Sequence, residues 1–179
     1  MEKKLNYKEN LRKIELFVFD VDGVMTDGLV QLDAAGEMVR NTHVNDGLAI
    51  KLALKAGLKV AVISAGTSQK VKERMHYLGI QDVFMGVYAK FDILKEYTSS
   101  INVDLQNVLF MGDDLPDYEC LANVGVATCP NDAAMEIRSI ADYISQKKGG
   151  YGCIRDIVEQ TLRVQGYWPD MTVNPRIEF

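Results

Sequence analysis

Cysteine is scarce in this chain and badly spaced for pairing. Cys120, Cys129 and Cys153 are scattered and odd in number. A disulfide framework is excluded on that basis, and reduced thiols in a cytoplasmic protein are expected. No Cys or His spacing suggests zinc. There is no basic block and the net charge is −5, so a nucleic-acid partner is not expected. No apolar run approaches the roughly 20 residues that span a bilayer, so no membrane role is expected. The stretch from Met1 to Lys13 is charged and has no apolar signal core. Neither a low-complexity linker nor an internal repeat divides the 179 residues, a length that suits one domain.

What the chain does have is a set of short apolar runs that end on polar clusters. Leu16-Phe17-Val18-Phe19 runs into Asp20-Val21-Asp22-Gly23. Val60-Ala61-Val62-Ile63 runs into Ser64, and Val108-Leu109-Phe110-Met111 into Gly112-Asp113-Asp114, with Asp117 close behind. Continuous apolar runs read as buried parallel strands. Open α/β sheets bind ligands just beyond the carboxyl ends of their strands. The two acidic clusters and the hydroxyl should therefore converge on one crevice. Oxygen-only ligands suit a hard cation such as Mg²⁺, and Mg²⁺ beside a carboxylate nucleophile suits phosphoryl transfer.

Strand and helix signals alternate, which predicts an α/β fold: a Rossmann-like parallel sheet with helices on both faces. Residues 28–32 and 37–42 flank Asp33-Ala34-Ala35-Gly36 and read as a β-hairpin. Helices are expected over 46–56, with Asp46 as N-cap, and over 67–78, where Val71, Met75 and Leu78 share a face. Further helices are expected over 90–99, 116–122 and 133–139, and from Gly149-Gly150-Tyr151-Gly152 to about Gln165. Strands fall at 83–85, 107–111, 124–128 and 143–144. Neither gap between the motifs holds a second folded unit, so there is no cap domain and the crevice is open unless another chain covers it. The reading is one domain over 1–166, with 167–179 as a surface tail or interface arm.

Asp20 and Asp22 sit two apart at a strand end. One is placed to attack phosphorus while the other handles a proton, Asp20 as nucleophile and Asp22 as acid, then base. Gly23 lets the backbone approach a phosphate. The structural alternative is a turn with capping aspartates. Asp113 and Asp114 are adjacent and cannot both point one way, so one binds metal directly and the other acts through water or a neighbouring group. Asp117 pairs with a nearby cation or ligates indirectly. Here the alternative is helix capping ahead of Pro116. Ser64 and the N–H groups after it can hold phosphate oxygens. Lys90 opens a helix, where the dipole disfavours a cation, so it is expected to balance nearby anions.

Asp-Val-Asp-Gly-Val-Met-Thr-Asp-Gly (20–28), Ser64, Lys90 and Gly-Asp-Asp-Leu-Pro-Asp (112–117) resemble, in order and spacing, the four motifs of the haloacid dehalogenase superfamily. The absent cap, Val44-Asn45-Asp46-Gly47, Arg74 ahead of Leu78-Gly79-Ile80, and the glycines of 149–152 resemble its branch of 3-deoxy-D-manno-octulosonate 8-phosphate phosphatases. The resemblance implies a Mg²⁺-dependent phosphatase of a sugar-acid phosphate. It gives Asp20 and Asp22 as catalytic residues, with an aspartyl-phosphate on Asp20. Mg²⁺ is held by Asp20, the Asp22 carbonyl and Asp113, with Asp114 acting indirectly. Gly23, Ser64, Ala65 and Lys90 bind the phosphoryl group, and Thr26, Asp27 and Arg74 contact the substrate. It also implies a homotetramer built around the hairpin, with a neighbour covering each site and the Gly-rich segment closing over it.

Two positions depart from the family. Ser64-Ala65-Gly66 stands where Thr-Gly-Arg is usual, and Asn45 where a basic residue is common. A lost charged hydrogen bond of this kind is worth about 1.5–3 kcal/mol. A related nine-carbon sugar-acid phosphate is therefore the alternative substrate. A phospho-accepting receiver domain would use similar residues, but its acidic pair follows the first strand, whereas Asp113-Asp114 come after Lys90. A non-catalytic scaffold is the remaining alternative.

Overall fold

Strands and helices alternate through the computed structural model, which describes residues 6–170 and 172. Helix α1 (Tyr7–Asn10) leads to β1 (Leu16–Phe19), and a small hairpin follows, β2 (Gln31–Leu32) and β3 (Met38–Val39). Next come α2 (Val44–Lys55), β4 (Lys59–Ile63), α3 (Gln69–Tyr77), β5 (Asp82–Phe84) and α4 (Lys90–Ser100). The remainder is β6 (Val108–Met111), α5 (Tyr118–Asn123), β7 (Val126–Cys129), α6 (Met135–Ile140), β8 (Tyr143–Ile144) and α7 (Cys153–Gln165).

Six strands form one parallel sheet in the order β5-β4-β1-β6-β7-β8. Alternation along each strand divides the core between the two faces. Phe17, Phe19, Val60, Val62, Leu109 and Met111 pack with α2, α3 and α7. Leu16, Val18, Ala61, Ile63, Val108 and Phe110 pack with α4, α5 and α6. Both faces are covered, which explains the uninterrupted apolar runs. The chain runs from β1 outward through β4 to β5, then returns to lay β6 on the other side of β1. The order reverses between β1 and β6, so the two acidic clusters flank that switch point. Among the described residues no second folded unit interrupts this sheet.

The hairpin is shorter than expected, with two residues paired on each side. Helix α2 begins at Val44, and its cap position is His43, not Asp46. Asp46 lies within the first turn, buried, and its carboxylate accepts the Arg155 N–H at 2.6 Å. It therefore serves the first turn of α7, whose own cap, Gly152, has no side chain to offer. Helix α3 starts later than expected because Ser68 caps it, accepting the Val71 N–H at 3.4 Å. At the other end Gly166 closes α7, and Tyr167 and Trp168 turn back to donate to the Leu162 carbonyl. The expected tail is described only as far as these residues, Pro169, Asp170 and Thr172; 171 and 173–179 lie outside the described residues.

The Gly149-Gly150 segment packs directly on the loop after β1. Gly150 donates to the Val24 carbonyl at 2.9 Å. A Cβ on Gly149 would stand 1.8 Å from the Gly23 carbonyl oxygen. Backbone cannot yield there as a side-chain tip can, so the close approach requires glycine. Gly149→Ala is expected to cost about 1–3 kcal/mol as an overpacked contact. The melting midpoint, read by circular dichroism, should fall by about 2–4 °C per kcal/mol for a chain of this size. An unchanged midpoint would show that this contact does not constrain the loop.

Candidate active site

Asp20 follows the last residue of β1, and its N–H donates to the Met111 carbonyl of β6 at 3.0 Å. The chain then makes one wide turn over Val21–Met25, closed by the Thr26 N–H on the Val21 carbonyl. The turn is kinked at Asp22 and at Gly23, where φ is +88°. A Cβ at Gly23 would lie 2.0 Å from Asp113 Oδ2, so glycine is needed there for conformation and for space. Thr26 is fully buried. Its hydroxyl donates to the Val21 carbonyl and accepts from the N–H groups of Gly23 and Gly28, each at 3.3 Å. In this position Thr26 fastens the loop from within. Asp27 accepts the Leu29 N–H at 3.1 Å, at the start of the hairpin.

Carboxylate oxygens of Asp20, Asp113 and Asp117 lie within 4.8 Å of one another. Lys90 enters the same cluster from the start of α4, almost completely buried. Its Nζ is 2.9 Å from Asp20 Oδ1 and 2.7 Å from Asp117 Oδ1. Burial opposes the ammonium charge, yet the two carboxylates hold the Lys90 pKa above its ordinary value. Asp117 is itself fixed, since its other oxygen accepts the Asp113 N–H at 3.0 Å. Asp114 is exposed and caps the turn that opens at Leu115, accepting that N–H at 2.8 Å. Asp117, not Asp114, thus shares the crevice floor with Asp20 and Asp113. The Asp-x-x-Asp spacing gives the reason: it forms a reciprocal capping box that turns the first carboxylate outward and the second inward.

Ser64 follows β4, buried, and its hydroxyl accepts the Gly66 N–H at 3.1 Å. Ala65 and Gly66 follow in the same bend, with the Gly86 N–H bonded to the Gly66 carbonyl. Arg74 lies on α3, its guanidinium 5.4 Å from the Tyr77 ring centre, and its buried Nε has no hydrogen-bond partner among the described residues. One charged residue in the crevice had no cue in the sequence. Arg40, just past β3, donates from Nε to Asp22 Oδ1 at 2.5 Å and from Nη2 to Asp22 Oδ2 at 3.2 Å. It sits in a stretch without period or motif, and its partner is 18 residues away.

The cluster's charges do not cancel on their own. Three carboxylates against one ammonium leave two negative charges when all are ionised, the charge of one divalent cation. The oxygen-only donors suit a hard cation. Crowding displaces the carboxyl pKa values upward. Burial first, then the Asp117 charge, pushes Asp20 up to about 7. Burial, then Asp20 and Asp117, pushes Asp113 up to about 8.

These features agree with three comparisons. The haloacid dehalogenase-like hydrolase profile matches residues 77–153. The 3-deoxy-D-manno-octulosonate 8-phosphate phosphatase of Haemophilus influenzae is 33% identical over 163 residues, covering 89% of this chain and 88% of that protein. The chain belongs to the haloacid dehalogenase-like hydrolases. Within them it joins the capless octulosonate-phosphate phosphatase branch, and it is a phosphoric monoester hydrolase. The crystal structure of the Yersinia pestis phosphatase of that name superposes on this hydrolase with a TM-score of 0.89 at 29% identity, covering 91% of this chain and 88% of that one. The 3-deoxy-D-manno-octulosonate 8-phosphate phosphatase of Moraxella catarrhalis, solved in complex with a magnesium ion, a phosphate ion and a KDO molecule, gives a TM-score of 0.92 at 27% identity, covering 97% of this chain and all of that one.

The raised carboxyl pKa values carry a stability consequence. An unfolded aspartate titrates near about 4. A carboxyl that keeps its proton to higher pH when folded stabilises the fold fully below that value, and the contribution is lost as pH rises through the folded pKa. In chelator, the melting midpoint of this hydrolase should therefore fall between pH 5 and 9, through about 7 and about 8. Asp113→Asn should flatten the fall. A midpoint that rises over that range in chelator would contradict the crowded-carboxylate reading.

Proposed function

We propose that this hydrolase removes the phosphate from 3-deoxy-D-manno-octulosonate 8-phosphate through an aspartyl-phosphate on Asp20. The observation that carries the proposal is the Asp20–Lys90–Asp117 contact beside Asp113, a buried nucleophile with its counter-charge already in place. Asp20 attacks phosphorus in line with the sugar oxygen, and Asp22 gives that oxygen a proton as the P–O bond breaks. Asp22 then takes a proton from water, which attacks the same phosphorus and releases phosphate and the free Asp20 carboxylate. Lys90, the Ser64 hydroxyl and the Ala65 N–H hold the phosphoryl oxygens; the Gly23 N–H, expected to join them, is taken by the Thr26 hydroxyl. Asp20, the Asp22 carbonyl and Asp113 would hold Mg²⁺, which would supply charge neutralisation for the phosphoryl group. Asp117 completes the acidic wall through Lys90, and Asp114 acts indirectly by capping the turn that carries it.

The substrate assignment is supported by the name of the Haemophilus relative and by the KDO molecule bound to the Moraxella protein. Arg74 and Asp27 are the proposed contacts to the sugar acid, with Arg74 able to grip a carboxylate with two parallel hydrogen bonds. The nine-carbon homologue remains a second reading because Gly66 stands where the family usually has arginine. We also propose a cytoplasmic homotetramer assembled through the hairpin, with a neighbour over each crevice. Leu29, Leu32 and Met38 on the hairpin, and Tyr88 and Leu115 after β5 and β6, are exposed apolar side chains that such contacts would cover. Among the described residues no helix is long and apolar enough to cross a membrane.

Phosphate release with Mg²⁺ across eight- and nine-carbon sugar-acid phosphates and neutral sugar phosphates tests the reading. The octulosonate ester is expected to give the highest kcat/KM. Asp20→Asn should lose at least about 10³-fold in kcat while keeping its melting midpoint within a few degrees, and EDTA should stop turnover until Mg²⁺ is returned. Equal turnover of neutral sugars would remove the substrate assignment. Near-normal kcat in Asp20→Asn would remove the nucleophile.

A further inference from the structure

Among the described residues, the acid/base Asp22 is held by one side chain, which belongs to the hairpin: Arg40 donates to it through Nε and Nη2, one to each carboxylate oxygen. The Arg40 side chain is about nine-tenths buried, while that of Asp22 is 38% exposed. Its third nitrogen, Nη1, donates to the Met38 carbonyl at 3.2 Å, so the guanidinium is anchored to β3 as well. A two-point grip from a planar guanidinium fixes the plane of a carboxylate, which a single ammonium cannot do. Gly66 of the second motif lies beside this place, where a Cβ on it would be 3.5 Å from Asp22 Oδ2.

Arg40 also carries the hairpin's attachment. Among the described residues, the other hydrogen bonds of residues 30–42 stay within that segment. A shift of the hairpin therefore moves Asp22 directly. Asp22 itself sits at a kink, with φ −76° and ψ 117°, outside any regular element that would fix it.

We infer that Arg40 is a positioning residue for Asp22, aiming its carboxyl at the leaving oxygen and tying that aim to the position of the hairpin. The inference rests on the acid/base role proposed above for Asp22. Its signature depends on the leaving group. An alkoxide such as a sugar oxygen needs a proton as the bond breaks, whereas p-nitrophenolate leaves without one. Misaiming Asp22 should therefore slow the sugar ester selectively. A loss of folding, of metal or of phosphate contacts would slow both esters together.

The test measures kcat and KM with 3-deoxy-D-manno-octulosonate 8-phosphate and p-nitrophenyl phosphate for the wild type, Asp22→Asn, Arg40→Met and Arg40→Lys, with melting midpoints alongside. Asp22→Asn should lower the ratio of kcat on the sugar ester to kcat on the aryl ester by about 10²-fold or more, the range of general acid catalysis. Arg40→Met should lower the same ratio by about tenfold or more, in kcat rather than KM. Arg40→Lys, which keeps the charge but not the fork, should recover part of it and guards against a methionine variant that folds poorly. If Asp22→Asn changes the ratio and neither Arg40 variant does, the inference is overturned and the role of Asp22 stands. If Asp22→Asn leaves the ratio unchanged, the acid role fails and the inference falls with it.

Discussion

A lysine ammonium with its side chain 3% exposed needs counter-charge on more than one side, and Lys90 has it. Asp20 lies at 2.9 Å and Asp117 at 2.7 Å. Removing a charge from water costs several kcal/mol, and the pairing offsets this only where geometry is good and the remaining lone pairs are satisfied. The fold meets those terms by bringing three chain segments to one point: the end of β1, the turn after β6 and the first residue of α4. The parallel order with β1 central between β4 and β6 puts these ends side by side. The same contact prepares the chemistry. It holds Asp20, the proposed nucleophile, in place before any substrate arrives and leaves a net negative cluster that favours a divalent cation.

Around that centre the remaining site parts are backbone constructions. The loop after β1 is fastened internally by the Thr26 hydroxyl and from outside by Gly149 and Gly150, which approach too closely for any side chain. Asp46 belongs to the same supporting layer: its carboxylate serves the start of α7, directly after those glycines. Among the described residues no cap interrupts the sheet, and the exposed apolar side chains of the hairpin lie between the first motif and α2 in sequence.

The fold was largely legible because β1, β4 and β6 are buried on both faces and so appear as unbroken apolar runs. Each run points at its functional residue. The misplacements have local causes. Asp46 resembles an N-cap in sequence but acts on a helix more than a hundred residues later. Asp117, expected to pair with a nearby cation, does so at Lys90, while the capping box turns Asp114 outward. Arg40 could not be read because its meaning arises from the way the hairpin folds back on Asp22. The arginine expected at the second motif is absent, yet the first motif still has a guanidinium, delivered by another element.

The central claim is that the phosphoryl group passes through Asp20. The stereochemical course at phosphorus tests it most directly, using an isotopically chiral phosphate ester of the sugar acid with hydrolysis in labelled water. Two successive in-line displacements, first by Asp20 and then by water, give net retention of configuration. Net inversion would mean that water attacks the ester in a single step, and it would contradict the account.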